Sequence, residues 1–334
     1  MAGDMSSCRA APDRLPTWAA RANTRRLVMR SMIQHCKLKL NVDFATLKNT
    51  SQSSNFHPIM TTTTTRPLRQ PAIFIPHGAG PCFFMDWNPA DAWDKTAAYL
   101  RGIPASLPEK PNAILLVTAH WLAPQPSMSS AAQPGMLFDY YGFPPHTYEL
   151  KYPAPGAPSL AERVSGLLAG AGFAPQHDGA RGYDHGTFIP LKVAFPDADI
   201  PVLQLSLLQS LDAADHVRLG QALAPLRDEG VLIVGSGMSY HNMRGYGDPR
   251  STAVAAEFDS WLTEIVALPA DERNARLADW ATASGPSGRL SHPLRAEEHL
   301  LPLHVVAGAA GDSLGAKVFS DRVMAVDISA FRFD

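Results

Sequence analysis

A single α/β domain, with a central and mostly parallel sheet flanked by helices, is the fold class this sequence predicts. Three observations predict it. Short apolar runs of strand length recur from residue 71 onward. Stretches of helix length lie between them, the alternation that builds parallel sheets. The runs are continuous rather than alternating, as in strands buried on both faces. The first run is AIFIP at 72–76, ended by His-Gly. AILLVT at 113–118, VLQLSL at 202–207 and VLIV at 231–234 follow. Helices are expected over about 89–101, 159–171, 213–229 and 252–267. Residues 317–331 read as one or two further strands. The Pro/Gly-rich segments 123–135 and 140–158 are long connections within the domain. The second carries Tyr140, Tyr141, Phe143, Tyr148 and Tyr152. That aromatic density suits a lid over a ring-shaped ligand; a packed surface loop is the plainer alternative.

A chain of 334 residues that is 46% hydrophobic can bury a sizeable core. Its formal net charge of −2 speaks against nucleic acid or an anionic membrane as partner. No apolar run approaches the ~20 residues that span a bilayer, so a cytoplasmic protein is expected. Cys8, Cys36 and Cys82 are too sparse for a disulfide framework and read as unpaired thiols of a reducing compartment. Charge is uneven: residues 1–60 hold nine Lys or Arg against three Asp or Glu. Met60 and a threonine run at 61–65 follow. Either this basic leader is a transit peptide, which makes the location organellar, or Met60 is the true start. In both cases 1–66 is set aside as an extension and 67–334 is taken as the folded domain.

Ligands of open α/β sheets bind at the carboxyl ends of strands. His77 follows AIFIP, His120 follows the second run, and His241 follows VLIVGSGMSY. His185 stands in Tyr183-Asp184-His185-Gly186, at an apparent helix start. A lone histidine is more often structural, but parallel strands bring their carboxyl ends to one rim. Neutral imidazoles meeting there make a metal site. Gly78, Gly186, Gly235 and Gly237 permit tight turns and close backbone approach. His292 and His299 lie near another helix start and read as surface or capping residues. His304 reads as packing, and His146 as a residue of the aromatic loop able to face a substrate. His35, His57, His177 and His216 carry no signal. Rival chemistries fail: no carboxylate pair suits glycoside hydrolysis, GSGMS lacks the GxSxG spacing, and neither GxGxxG nor Walker A follows a strand.

Six ordered motifs then carry a resemblance. PHGAGP (76–81), TAHW (118–121), YGFPPHTYELKYPAPG (141–156), DHGTFIPL (184–191), GSGMSYHN (235–242) and HPLRAEEHLLPL (292–303) span residues 71–310. The sequence resembles the class III extradiol ring-opening dioxygenases, the LigB superfamily, and within it the DOPA 4,5-dioxygenase branch. The resemblance implies that His77, His120 and His241 bind the metal. It implies that His185 is the acid/base group and also approaches the metal in zinc-filled relatives. It places His292 and His299 on the substrate side, with His146 and Tyr148 of the aromatic loop. The first motif departs from the usual HGSP by reading HGAGPCFF, and the residues after His77 are expected to touch the ligand.

The implied partners are a DOPA-like catechol and O₂, and the implied product is a muconic semialdehyde. Fe(II) serves turnover, while three histidines also suit Zn(II) in the isolated protein. Either Asp184 or a nearby carbonyl would orient His185. The alternatives are a zinc hydrolase on the same scaffold and a non-catalytic metal-binding relative. The presence of His185 argues against the second, since a pure binding site needs no acid/base.

Overall fold

Alternate side chains of the central strands divide between two cores. The strands are β1 (Ala72–Pro76), β2 (Ala113–Ala123), β3 (Ser127–Ser129), β4 (Gln176–Asp178), β5 (Val202–Leu208), β6 (Val231–Gly237), β7 (Gly315–Val323) and β8 (Val326–Phe333). Phe74, Leu115, Val117, Leu203 and Ile233 face one core; Ile73, Ile75, Ile114, Leu116, Leu232 and Val234 face the other. A period of two with both faces buried is what a continuous apolar run produces in a covered sheet. The computed structural model describes residues 67–334; the expectations for 1–66, with Cys8 and Cys36, lie outside the described residues.

The eight strands form one sheet in the order β4-β3-β5-β2-β6-β1-β8-β7. Its centre, β5-β2-β6-β1, is parallel, while β8 and β7 are antiparallel additions at one side. Helices α1 (Asp94–Ser106) and α3 (His185–Ala194) cover one face. Helices α2 (Pro158–Gly170), α4 (Ala213–Leu223), α5 (Ser251–Val266), α6 (Ala270–Ala278), α7 (Trp280–Ala283), α8 (Gly285–Ser291) and α9 (Leu301–Ala309) complete the helical set. Among them, α4, α5 and α9 pack their apolar sides into the opposite core. No helix among the described residues is long and apolar enough to cross a membrane.

Three sequence expectations change, and the open one at the end of the chain resolves to two strands. The second strand does not stop at residue 118 but runs to Ala123, so His120 lies within β2. Its pairing with β5 slips between Val117 and Leu122, a bulge that re-aims side chains beside a site. The helix expected over 213–229 ends at Leu223 and continues as a 3₁₀ turn, Ala224–Glu229, in which Pro225 supplies no N–H. The connection 123–135 contains the short strand β3. The last segment is a hairpin of two strands, β7 and β8.

Candidate metal centre at the carboxyl rim

Three adjacent parallel strands deliver the site. Pro76 of β1 pairs with Gly237 of β6, and Thr118 of β2 pairs with Ser236 of β6, so Pro76, Thr118 and Gly237 stand nearly level, with β2 running on past that level to Ala123. His77, His120 and His241 therefore leave one rim. A cavity of about 420 Å³ opens there, and His77, His120, His185, His241 and His299 all line it. A second cavity of about 400 Å³ between Pro104 and Ile200 has no histidine in its wall.

His185 is the first residue of α3, and Asp184 caps that helix by accepting the Thr187 N–H. Gly186 comes next because β2 runs close by: a Cβ there would stand 2.7 Å from Thr118 Oγ1 and 2.9 Å from the His120 ring. His299 precedes α9. Its carbonyl accepts the Met238 N–H at 3.0 Å, and it lies where a Cβ on Gly237 would collide with it. The GSG sequence is thus a docking surface for α9.

The five rings share one arrangement. His120 Nε2 lies 3.1 Å from His77 Nε2. His120 and His185 have ring centroids 3.8 Å apart, and His241 stacks on His299 at 3.3 Å. His299 is also 5.2 Å from His77 and 4.8 Å from His120. The Nδ1 atoms face polar groups. His77 Nδ1 is 3.1 Å from Ser236 Oγ, whose own proton goes to the Gly186 carbonyl, so the hydroxyl accepts from His77 Nδ1–H. Asp139 accepts from His185 Nδ1–H at 2.7 Å and reaches to 3.8 Å from His120 Nδ1 with its other oxygen. Glu298 accepts from His299 Nδ1–H at 3.0 Å, with the same oxygen 3.6 Å from His241 Nδ1. These bonds leave Nε2 of His77, His185 and His299 as unprotonated donors.

Burial, then the neighbouring imidazoles, hold His77, His120 and His299 well below the usual imidazole range. Burial, then His185, takes His241 to about 4. Burial works to raise Asp139, but its hydrogen bond to His185 and the attraction of His185 and His120 outweigh this and lower it. Neutral imidazoles with converging lone pairs are the donor set a divalent metal needs. Around an ion with metal–nitrogen distances of about 2.1 Å, adjacent donors stand roughly 3.0–3.4 Å apart. The 3.1 Å His77–His120 spacing fits. Donor atoms of His77, His120 and His185 cluster within 4.8 Å, and those of His241, Glu298 and His299 do likewise.

Of the remaining expected site residues, His299 lines the cavity and His292, His146 and Tyr148 do not. His292 does not line the cavity: it is buried between Phe258 and Trp280 and donates from Nε2 to the Ser239 carbonyl at 2.9 Å. His146 is exposed and meets the Phe84 carbonyl. Tyr148 packs on Phe138 and Tyr140. From that loop it is Phe143 that reaches the cavity. His299, expected beside the substrate, lines the cavity and is also one of the clustered imidazoles. Asp184 does not orient His185; it accepts from Thr118 and Arg181, and Asp139 takes the orienting role. The sequence reading overlooked Asp139, Glu298 and Ser236. Glu298 adjoins His299 and Asp139 opens the aromatic loop, so proximity in sequence was the available signal. His304 is packed, as expected, against the carbonyls of Leu277 and Leu300. Cys82 is buried and unpaired.

The chain is 37% identical over 288 residues to the dioxygenase tasH of Hapsidospora irregularis, spanning 80% of this chain and 86% of that one. It is 45% identical over 214 residues to the 4,5-DOPA dioxygenase extradiol of Beta vulgaris, spanning 63% and 77%. The Escherichia coli K12 protein of the same name is 35% identical over 244 residues, spanning 72% and 85%. A crystal structure of the uncharacterized Escherichia coli K12 protein JW3007 superposes with a TM-score of 0.62 at 29% identity, over 80% of this chain and 100% of that chain. The family model of the catalytic LigB subunit of aromatic ring-opening dioxygenase matches residues 71–331, and the chain belongs to that family, in its DOPA-dioxygenase-like branch.

Proposed function

We propose that this ring-cleaving dioxygenase opens a catechol next to its diol with O₂, placing both oxygen atoms in a muconic semialdehyde. The observation that carries the reading is the division of labour among the imidazoles. His77 and His120 face each other through Nε2 at 3.1 Å, whereas His185 is tied at Nδ1 to Asp139. His77 and His120 would hold Fe(II), with a third donor from the stacked His241–His299 pair. Fe(II), when bound, supplies the redox centre that lets O₂ react with a catecholate.

The residues of the chain handle protons and placement. His185 Nε2 accepts a phenolic proton as the catechol enters, and Asp139 stabilises the resulting imidazolium through the Nδ1 bond. The same Nε2, once protonated, is placed to return that proton to an oxygen of the bound substrate. Glu298 and Ser236 keep the Nδ1 atoms of His299 and His77 turned outward. Phe143 and Trp87 wall the cavity and limit water.

Oxygen uptake with a panel of catechols tests the proposal, using protein stripped of metal and reloaded with Fe(II) or Zn(II). One O₂ consumed per ring opened with Fe(II), and none with Zn(II), is expected, because zinc has no redox chemistry. Equal turnover with Zn(II) and no O₂ consumption would move the assignment to a hydrolase using metal-activated water. Metal binding without turnover of any kind would leave a binding protein.

A further inference from the structure

The cavity says more about the substrate than its catechol head. Five imidazoles form the floor. The rest of the wall includes Trp87, Trp93, Phe143, Met238, Met243 and Met324. Among the described residues, no Lys, Arg, Asp or Glu side chain lines it. The carboxylates behind the floor, Asp139 and Glu298, are engaged with histidine Nδ1 atoms. The Tyr246 hydroxyl donates to the Tyr240 carbonyl at 2.9 Å, so this residue too offers mainly ring surface. Arg244, next to Met243 in the chain, is exposed and not part of the wall.

The glycines after His77 belong to this wall. Gly80 has φ +53°, and a Cβ there would press on the Phe143 ring at 2.9 Å. The HGAGP sequence is therefore what seats an aromatic ring over the cavity. A carboxylate or ammonium held against this wall loses hydration and meets no charged side chain there. An alkyl or aryl tail gains burial, and methionine side chains adapt to its shape.

We infer that the preferred substrates are catechols with an uncharged, apolar ring substituent, and that an amino-acid or carboxylate tail is selected against. This rests on the catechol reading above and adds the class of tail. The probes are 4-methylcatechol, 4-propylcatechol, 3-(3,4-dihydroxyphenyl)propionate and L-DOPA. The last two match the propyl chain in length but carry one and two charges.

The Fe(II)-loaded full chain should show the highest kcat/KM for 4-propylcatechol, at least about 10-fold above either charged analogue. It should also exceed 4-methylcatechol, by up to about fourfold per added methylene if each is fully buried. Quenching of Trp87 and Trp93 fluorescence under anaerobic conditions should give the same ranking for binding. Met243→Arg should narrow the gap between the propyl and propionate probes by about 10-fold. L-DOPA or the propionate matching 4-propylcatechol in both assays overturns the inference, as does a Met243→Arg gap equal to wild type. Failure of all four probes to bind or to drive O₂ uptake instead removes the catechol reading.

Discussion

Asp139 ties together two rings of one half of the imidazole cluster: one carboxylate oxygen lies 2.7 Å from His185 Nδ1, the other 3.8 Å from His120 Nδ1. It also accepts the His185 backbone N–H at 3.0 Å, so ring and helix start are held by one group. Its partner across the cavity is Glu298, set between His299 and His241 in the same way. Two carboxylates on the outer edge hold the reactive nitrogens inward.

Asp139→Asn should therefore reduce turnover about 10- to 100-fold, the usual effect of losing an orienting partner. An amide can still accept from Nδ1–H, but it cannot stabilise an imidazolium by charge. KM should change little, and bound metal should stay near stoichiometric. Steady-state assays and metal analysis on one preparation decide; unchanged kcat would remove Asp139 from the proton path.

His185→Gln should lower turnover by about 100-fold or more while metal is retained. Its Nδ1 bond to Asp139 sets it apart from the His77–His120 pair, although its donor atom is near enough to join them. Wholesale loss of metal from the variant would make His185 a ligand first.

Much of this was legible in the sequence because the parallel core is built from local signals. AIFIP, AILLVT, VLQLSL and VLIV each announce a strand, and a histidine soon after such a strand, or at a capped helix start as His185 is, has few places to go. His77, His120, His185 and His241 meet at one cavity accordingly. What escaped depends on tertiary placement. Asp139 and Glu298 act through contacts with rings from other segments. His292 and His299 sit seven residues apart in one motif, yet β6 and α9 send His299 to the cavity and α8 buries His292 beside Trp280. No periodicity distinguishes those fates. The extension of β2 past Thr118 was hidden because His120 and Trp121 interrupt an apolar run.

His292→Ala should act on stability rather than on chemistry. It deletes a buried ring between Phe258 and Trp280 and leaves the Ser239 carbonyl without its donor. A loss of about 2–4 kcal/mol is expected from urea unfolding. The folded fraction should keep kcat and KM within about twofold. A selective rise in KM at unchanged stability would return His292 to the substrate side.

Acid should destabilise the fold through histidines far from the metal as well as near it. Burial takes His216 and His304 to about 4 and His292 to about 3. Unfolded, these groups titrate near 6.5. The unfolded chain then binds more protons than the native one below pH 6.5, so stability is full above that pH and falls as pH drops toward 4. Each such histidine contributes a slope of about 1.4 kcal/mol per pH unit in that window. Urea midpoints at pH 7.5, 6 and 5, taken with chelator present, should fall steeply between the last two. A flat profile would show that these rings protonate without unfolding.

The stacked His241–His299 pair predicts an asymmetry in metal retention. His77 and His120 oppose each other at 3.1 Å through Nε2, and neither has a ring stacked face to face on it, so His77→Ala or His120→Ala should weaken metal binding more than loss of either stacked ring. His241 and His299 lie face to face at 3.3 Å, tilted by only 15°, with Glu298 on the Nδ1 side of both. Removing either ring leaves its neighbour able to fill the third position. His241→Ala and His299→Ala should each weaken metal affinity by about 10- to 100-fold, and the double variant should lose the metal altogether. Competition with a chromophoric chelator measures all five proteins on one scale. If His241→Ala alone empties the site while His299→Ala leaves affinity intact, His241 is the sole third ligand and His299 serves the substrate side, as the motif order first suggested. If the reverse holds, the third ligand comes from the start of α9 rather than from the end of β6.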